Sequence, residues 1–220
     1  MNTIFGNFLE RTIPNLRNAI INLTIGGNNA EMNLEDFKAV MAPELNYKVY
    51  TALVSQTGTD EPLEINGDET IPLTIGVTYE IIDNSPNLAD FTNVGAPNNN
   101  IGTKFVATGT TPTNWGNIDE GWAILKYNLG APTVTVLENT IGNIWFTYAG
   151  VGNYDVNSSS LFTNNKTTLF IGPLSPGFTE GYSATLGISI SNVNIRTIAA
   201  PATYSDELLS ITPIEIRVYN

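Results

Sequence analysis

The sequence predicts a mainly β protein: a β-sandwich-like body with an inserted small β-unit and a short helical N-terminal segment. Two observations lead to this prediction. From Tyr47 onward, apolar side chains recur at a period of two, which is the pattern of half-buried strands. The chain also combines 19 Gly and 12 Pro with many Thr and Asn residues. Threonine favours strands and asparagine favours turns, so short strands joined by frequent turns are expected.

The first strand is predicted over residues 47–54, where Gly58 ends the alternating run. Turn signals such as Asn66-Gly67-Asp68 and Gly130-Ala131-Pro132 separate the later candidates. The further predicted strands are 63–65, 70–75, 78–82, 104–107, 122–127, 133–138, 144–148, 167–171, 184–191, 194–198 and 211–219.

Residues 1–45 follow a different pattern and predict two short amphipathic helices. The loop Gly26-Gly27-Asn28-Asn29 separates them, and helices this short are marginal in water on their own. Their apolar faces are therefore candidates for an anchor or an oligomer interface, and the alternative is a helical lid on the body's own core. The candidate interface residues are Leu16, Ile20 and Leu23 on the first helix and Leu34, Phe37, Val40 and Met41 on the second.

The charge and composition of the chain limit the classes of binding partner that are expected. The chain of 220 residues has a net charge of −12 and a sequence pI of about 4.2, so no nucleic-acid partner and no anionic membrane surface is expected. The N-terminus lacks the apolar core of a signal peptide, and no run approaches the length of a membrane span. We therefore expect a product that stays in the cytoplasm of the producing cell until lysis releases it.

The absence of histidine and cysteine excludes Ser-His-Asp and Cys-His catalysis and ordinary zinc sites. A glycosidase pair of carboxylates stays formally open, with candidates at Asp119-Glu120 near Trp122, at Glu138 and at Glu180. Solvated loop acids account for these residues without catalysis. The sequence therefore predicts a protein that is not an enzyme and that has no cofactor.

A calcium-binding site is a further possibility that the sequence supports only weakly. Asp83-Asn84-Ser85 with Asp90, and the stretch Asn66-Gly67-Asp68-Glu69, place oxygen ligands on turns. Neither stretch has EF-hand spacing, and Asx-turns explain both without an ion. No metal site is predicted.

Aromatic residues provide candidates for sugar binding, because rings stack on sugars and neighbouring Asn and Thr side chains bond to hydroxyl groups. The candidate glycan-binding residues are Trp115, Trp122 and Tyr154. Such residues also fill sandwich cores, and Trp145, in the middle of a predicted strand, is expected to be a core residue.

Several segments carry a resemblance. They read Y-K-V-Y-T-A-L-V-S-Q-T-G-T at 47–59, A-P-T-V-T-V-L-E-N-T-I-G at 131–142, I-W-F-T-Y-A-G-V-G-N-Y at 144–154, L-F-T-N-N-K-T-T at 161–168 and I-E-I-R-V-Y at 214–219. In this order they resemble a module of structural proteins from tailed phages that infect Bacteroidetes, the crAss-like phages among them. The sequence departs from that module at 63–127, an interval that itself resembles a small β-unit of phage virion proteins.

The resemblance implies an organisation and a function. An N-terminal helical anchor (1–45) would precede a discontinuous β-sandwich-like outer domain (46–62 and 128–220), with an inserted small β-domain at 63–127. The chain would be a virion structural protein assembled in the host cytoplasm: a head or neck fibre or capsid decoration, attached through its N-terminus to capsid or neck proteins. By analogy with phage fibres it would form a homotrimer. The alternative is a module of a tail or head fibre that binds host-surface glycans.

Overall fold

The computed structural model describes residues 20–25, 28–33, 46–67, 71–85, 88–117, 119, 121–172, 189–199 and 203–220. Within these ranges the fold is mainly β and contains no α-helix; one short 3₁₀ turn spans Thr92–Val94. The contacts divide the chain into two compact units, Met1–Asn46 and Tyr47–Asn220. The predicted fold class, a mainly β protein, is confirmed.

The first unit contains a β-hairpin where the sequence analysis predicted a helix. Strand β1 (Ile20–Ile25) pairs antiparallel with β2 (Asn28–Asn33), in a register that joins Ile25 to Asn28. The helical assignment of Ile20 and Leu23 is therefore wrong. The physical reason is local, because β1 is rich in β-branched residues and the Gly26-Gly27 pair suits a two-residue hairpin connection.

The other residues of the predicted N-terminal interface lie outside the described residues. They are Leu16, Leu34, Phe37, Val40 and Met41.

In its described residues, the second unit contains fifteen strands. They are β3 (Tyr47–Ser55), β4 (Pro62–Asn66), β5 (Thr78–Asp83), β6 (Lys104–Val106), β7 (Gly116–Asn117), β8 (Gly121–Trp122), β9 (Ile124–Asn128), β10 (Thr133–Asn139), β11 (Ile144–Gly150), β12 (Asn153–Ser158), β13 (Thr167–Ile171), β14 (Asn192–Arg196), β15 (Ile198–Ala199), β16 (Thr203–Tyr204) and β17 (Thr212–Tyr219).

Most predicted strands of this unit are present. The predicted strand 184–191 lies outside the described residues at 184–188, and residues 189–191 are not in a strand. The short strands β7 and β16 were not predicted, and three further differences follow. Residues 71–75 form a loop rather than a strand, and Gly76 at its end has a φ of +87° and lies against the Val134 backbone. The predicted run 122–127 is divided into β8 and β9 at Ala123. Strand β12 was not predicted, because its sequence N-Y-D-V-N-S has too few apolar residues to stand out.

The body is a sandwich of two antiparallel sheets around one core. The first sheet has the order β10-β3-β17-β13, and the second has the order β11-β12-β14. Alternate residues of each strand point inward, so that Tyr50 and Ile216 of the first sheet meet Phe146 and Val156 of the second in one buried cluster. The Tyr50 and Phe146 ring centroids lie 6.3 Å apart. The core thus joins segments that are about a hundred residues apart in sequence.

Residues 62–128 form a separate sheet with its own core. Its order is β4-β9-β5-β6, all antiparallel. One face is packed by a second apolar cluster that includes Tyr79, Phe91, Phe105 and Leu125. The sheet begins and ends at one place, since Pro62 is the direct pairing partner of Asn128.

The opposite face of this inserted sheet packs on the body. Strand β6 contributes one side chain to each core. Phe105 lies in the second apolar cluster, whereas the next residue, Val106, points to the opposite face and lies in the body core. On β5, the Thr78 hydroxyl accepts a 3.0 Å hydrogen bond from the Phe146 backbone N–H on β11. Strand β11 is an edge of its sheet, so this bond caps part of an otherwise open edge.

We predict that residues 63–127 can be removed by joining Pro62 to Asn128. The body should still fold, because the two ends are already paired, but it should lose about 2–4 kcal/mol of unfolding free energy through the loss of Val106 and the Thr78 hydrogen bond. Urea unfolding followed by circular dichroism measures whether the deletion variant folds and how much unfolding free energy it loses. An aggregated deletion variant, together with a 62–128 fragment that fails to fold, would refute the nested arrangement.

Candidate functional site

Two of the three predicted sugar-binding aromatics lie together on the inserted unit. Trp115 directly precedes β7, and Trp122 is in β8, which pairs with β7 through Gly116. The half-buried Trp115 ring packs edge-on against Phe91 at 5.3 Å and contributes to the second core. Trp122 is also half-buried. The structure thus places both on one small hairpin, with Trp115 serving the core.

Tyr154, the third predicted residue, is in the body and has no exposed surface. Its ring therefore offers no face to a sugar, and this residue does not belong to a glycan site. It instead forms the centre of a polar network in which Gln56 and Tyr154 are buried and Tyr148 and Asp206 are half-buried.

The network joins four side chains, which we call the Gln56 hub: Gln56, Tyr148, Tyr154 and Asp206. The Tyr154 hydroxyl lies 2.9 Å from Asp206 Oδ1 and 3.0 Å from Gln56 Oε1, so its one proton is shared between two acceptors. The Tyr148 hydroxyl donates to Asp206 Oδ2 at 2.8 Å. Gln56 itself is 1% exposed, so each of its polar atoms needs a partner.

The Gln56 hub fastens loops that are distant in sequence. The Gln56 amide donates to the carbonyls of Gly58 and Gly130, and Gln56 Oε1 accepts from the Glu207 N–H. Asp206 Oδ1 accepts from the N–H of Gly152 at 2.7 Å. Gly152 has a φ of +59°, and a Cβ there would lie 2.5 Å from the Thr197 carbonyl oxygen, so the turn needs glycine.

Burial raises the pKa of three phenols in this body, those of Tyr50, Tyr148 and Tyr154. It raises the pKa of Tyr148 to about 12, with the hydrogen bond to Asp206 as the second cause. Burial, followed by the Asp206 hydrogen bond, also raises the pKa of Tyr154 well above its ordinary value. Tyr50 shows a raised pKa from burial alone, and its hydroxyl has no hydrogen-bond partner among the described residues. All three phenols are therefore held in the neutral form.

The outward face of the sheet β11-β12-β14 is a ladder of polar side chains. Asn194 Nδ2 lies 2.7 Å from Asn153 Oδ1 and 2.7 Å from Asp155 Oδ1, and Arg196 Nε donates to Asn194 Oδ1 at 3.0 Å. Asn157 Nδ2 donates to Thr147 Oγ1 at 2.9 Å. We call this set the amide ladder. These cross-strand bonds fix the side chains in place on a solvent-facing surface.

A groove runs along β11, between the body and the inserted sheet. Two cavities of about 430 Å³ and about 170 Å³ lie along it, and Lys104 lines both. In the larger cavity, Trp145 from the body faces the loop 97–103 of the inserted unit, which contributes Asn98, Asn100 and Ile101. Trp145 was predicted to be a core residue, but it is only half-buried and lines this groove.

Among the predicted carboxylate and calcium candidates, those that the structure describes do not form a metal centre; Asp68, Glu69 and Glu120 lie outside the described residues. Among the described residues, no group of three or more acidic side chains is placed to hold a metal ion. Asp83 Oδ1 accepts from the Ser85 N–H, and Asp90 Oδ1 accepts from the N–H and hydroxyl of Thr92, as Asx-turns do. These bonds lower the pKa of Asp90, with the Thr92 N–H the largest cause. Asp119 and Glu138 are exposed, and Glu180 lies outside the described residues.

Sequence reasoning missed both the Gln56 hub and the amide ladder. A buried glutamine in a Ser-Gln-Thr-Gly loop looks like an ordinary turn residue, and its partner Asp206 is 150 positions away. The ladder has a short signal that becomes clear only when the two strands are taken together, since N-Y-D-V-N and N-V-N-I-R both alternate polar and apolar residues.

No family model, curated protein or solved structure matches this chain. In the part of the chain that the structure describes, no helix is long and apolar enough to cross a membrane.

We predict different effects for two Tyr→Phe substitutions in the same core. Tyr154→Phe should lower the unfolding free energy by about 2 kcal/mol, because it removes a hydrogen bond to a carboxylate. Tyr50→Phe removes a hydroxyl without a described partner, so it should be neutral or stabilise by up to about 1 kcal/mol. Chemical denaturation of both variants and the parent protein measures the difference. Equal losses in the two variants would contradict the assigned hydrogen bonds.

We also predict that stability falls as pH rises above about 10, the ordinary tyrosine pKa. The raised pKa values mean that the folded state keeps protons that the unfolded state releases, so this stability is complete below about pH 10 and is lost through about pH 12. Urea midpoints measured across this range test it. Tyr154→Phe should make the decline shallower, and an identical slope in this variant would contradict the prediction.

Proposed function

We propose that this chain is a structural protein of a tailed-phage particle: a fibre or capsid decoration that projects from the head or neck. The observation that supports this most strongly is the convergence of the phage-like segments. The segments at 47–59, 131–142 and 214–219 supply β3, β10 and β17, and β3 pairs with both of the others. The segment at 144–154 supplies β11 and the first part of β12.

The departure from the module supports the same proposal. The interval 63–127 coincides with the sheet β4-β9-β5-β6, whose ends meet at the pair Pro62 and Asn128. An insertion at paired ends costs the host domain little, because loop-closure entropy grows slowly with length. The segments before and after the insertion thus form one sandwich, as a module interrupted by an insertion would.

Attachment is assigned to the N-terminal unit. The contacts group Met1–Asn46 separately from the rest of the chain, which suits a segment that binds elsewhere. We propose capsid or neck proteins as its partners and a homotrimer as the assembled state, with the virion as the location. We propose no catalytic activity, since the chain has neither histidine nor cysteine.

The proposal predicts that the chain is part of mature particles. The phage that encodes it is purified on a density gradient, and its proteins are quantified by peptide mass spectrometry. This chain should be present in fixed proportion to the major capsid protein, and antibody–gold labels should lie on the head or neck. An abundant host cytoplasmic protein serves as the contamination control. A chain that is abundant in the lysate but absent from particles would refute the proposal.

The oligomeric state of the purified protein tests the second part. Light scattering should give three times the monomer mass of 23.8 kDa for the full chain. A variant without residues 1–45 should be monomeric if that segment causes the association. A monomeric full chain at micromolar concentration would contradict the trimer.

A further inference from the structure

We propose that the groove along β11 binds a neutral oligosaccharide, with Trp145 as the stacking platform and amide side chains as the hydrogen-bonding partners. This site differs from the Trp115–Trp122 hairpin suggested by sequence. Its location follows from the two cavities that flank β11 and share Lys104.

The larger cavity is lined by an indole ring, that of Trp145, and by an aliphatic side chain, that of Ile101. Trp145 is half-buried: part of the residue packs on the body core and part lines the larger cavity. Ile101 on the inserted loop lines the same cavity and is 61% exposed. Sugar rings have apolar C–H faces, and an indole face beside an aliphatic side chain provides the matching apolar surface.

The same cavity also has amide and hydroxyl groups that are available for hydrogen bonds to a ligand. In the described structure, the Asn100 side chain, Asn143 Oδ1 and Ser159 Oγ have no hydrogen-bond partner, although all three residues line the cavity. Asn143 is itself held in place, since its Nδ2 donates to the Lys104 carbonyl at 2.9 Å. An amide both donates and accepts, as a sugar hydroxyl does, so this lining fits hydroxyl groups.

The charge of the cavity lining indicates which class of ligand fits it. The chain carries a net charge of −12, yet none of the described residues that line the larger cavity is a carboxylate. Lys104 is the one charged residue in this described lining, and its Nζ is 3.5 Å from Glu80 Oε2, which compensates the lysine charge. A lining of amides and hydroxyls without unpaired charge favours a neutral ligand over an anionic one.

The amide ladder extends this surface beyond the cavity. Trp145 is the pairing partner of Asn157, and Thr147, two residues further along β11, is the partner of Asp155. The polar face of β12 and β14 therefore begins beside the indole ring. A chain of several sugar units that stacks on Trp145 would reach fixed amide and carboxylate groups on this face.

The test uses the full-length protein and isothermal titration calorimetry. The neutral probes are oligosaccharides of glucan, mannan, galactan and xylan, and the anionic probe is an oligogalacturonate. At least one neutral probe should bind. Trp145→Ala should weaken that binding about tenfold or more, and Asn100→Ala about fivefold. Trp122→Ala is the matched control, because Trp122 is also half-buried but is not among the residues that line either cavity of the groove.

Asn100→Ala guards against a folding artefact, since Asn100 is exposed and its side chain has no partner among the described residues. Several results would overturn the proposal: no neutral probe binding at millimolar concentration, binding of oligogalacturonate alone, binding that survives both groove substitutions, or a loss confined to Trp122→Ala. The groove chemistry does not depend on virion assembly, so failure here and failure of the virion proposal are separate results.

Discussion

The body depends on one polar centre, the Gln56 hub, in which Gln56 and Tyr154 are buried. Gln56 is 1% exposed, and its side chain bonds to the backbone of Gly58, Gly130 and Glu207 while it also meets the Tyr154 hydroxyl. Buried polar groups are costly when they are unpaired, so these loops must close in one arrangement for the network to be satisfied. The hub thereby specifies how the end of β3 meets β12 and the segment before β17.

The inserted sheet depends on this arrangement in turn. Its β5 and β6 pack on β11, an edge strand of the sandwich, and Thr78 bonds to the Phe146 backbone. The inserted sheet contacts the sandwich at Val106 and through the Thr78 and Lys104 hydrogen bonds, and the groove lies between β11 and the loop 97–103 beside these contacts. The proposed sugar site is therefore a consequence of inserting one β-unit beside a sheet edge. Outward-facing polar residues of β11, β12 and β14 then border the groove.

The sequence predicted the fold class and most strands, because alternation at a period of two is a direct consequence of one buried sheet face. The prediction was wrong where the alternation is short or where the same spacing also fits a helix. Ile20 and Leu23 fit helical spacing but lie in a strand, since spacing over so few residues does not separate the two periods. Trp145 lies between the buried residues Ile144 and Phe146, so alternation at a period of two places it on the outward face; its large apolar ring had suggested the core instead. The Gln56 hub joins positions too distant for any local pattern.

The central claim is that the hub acts as one cooperative unit. A double-mutant cycle on Gln56→Leu and Tyr154→Phe, with unfolding free energies from urea denaturation, tests this most directly. Groups in one buried network have coupled contributions, so the two losses should fail to add by about 1 kcal/mol or more. If the double variant loses the sum of the single losses, within about 0.3–0.5 kcal/mol, the two side chains act independently and the claim is wrong.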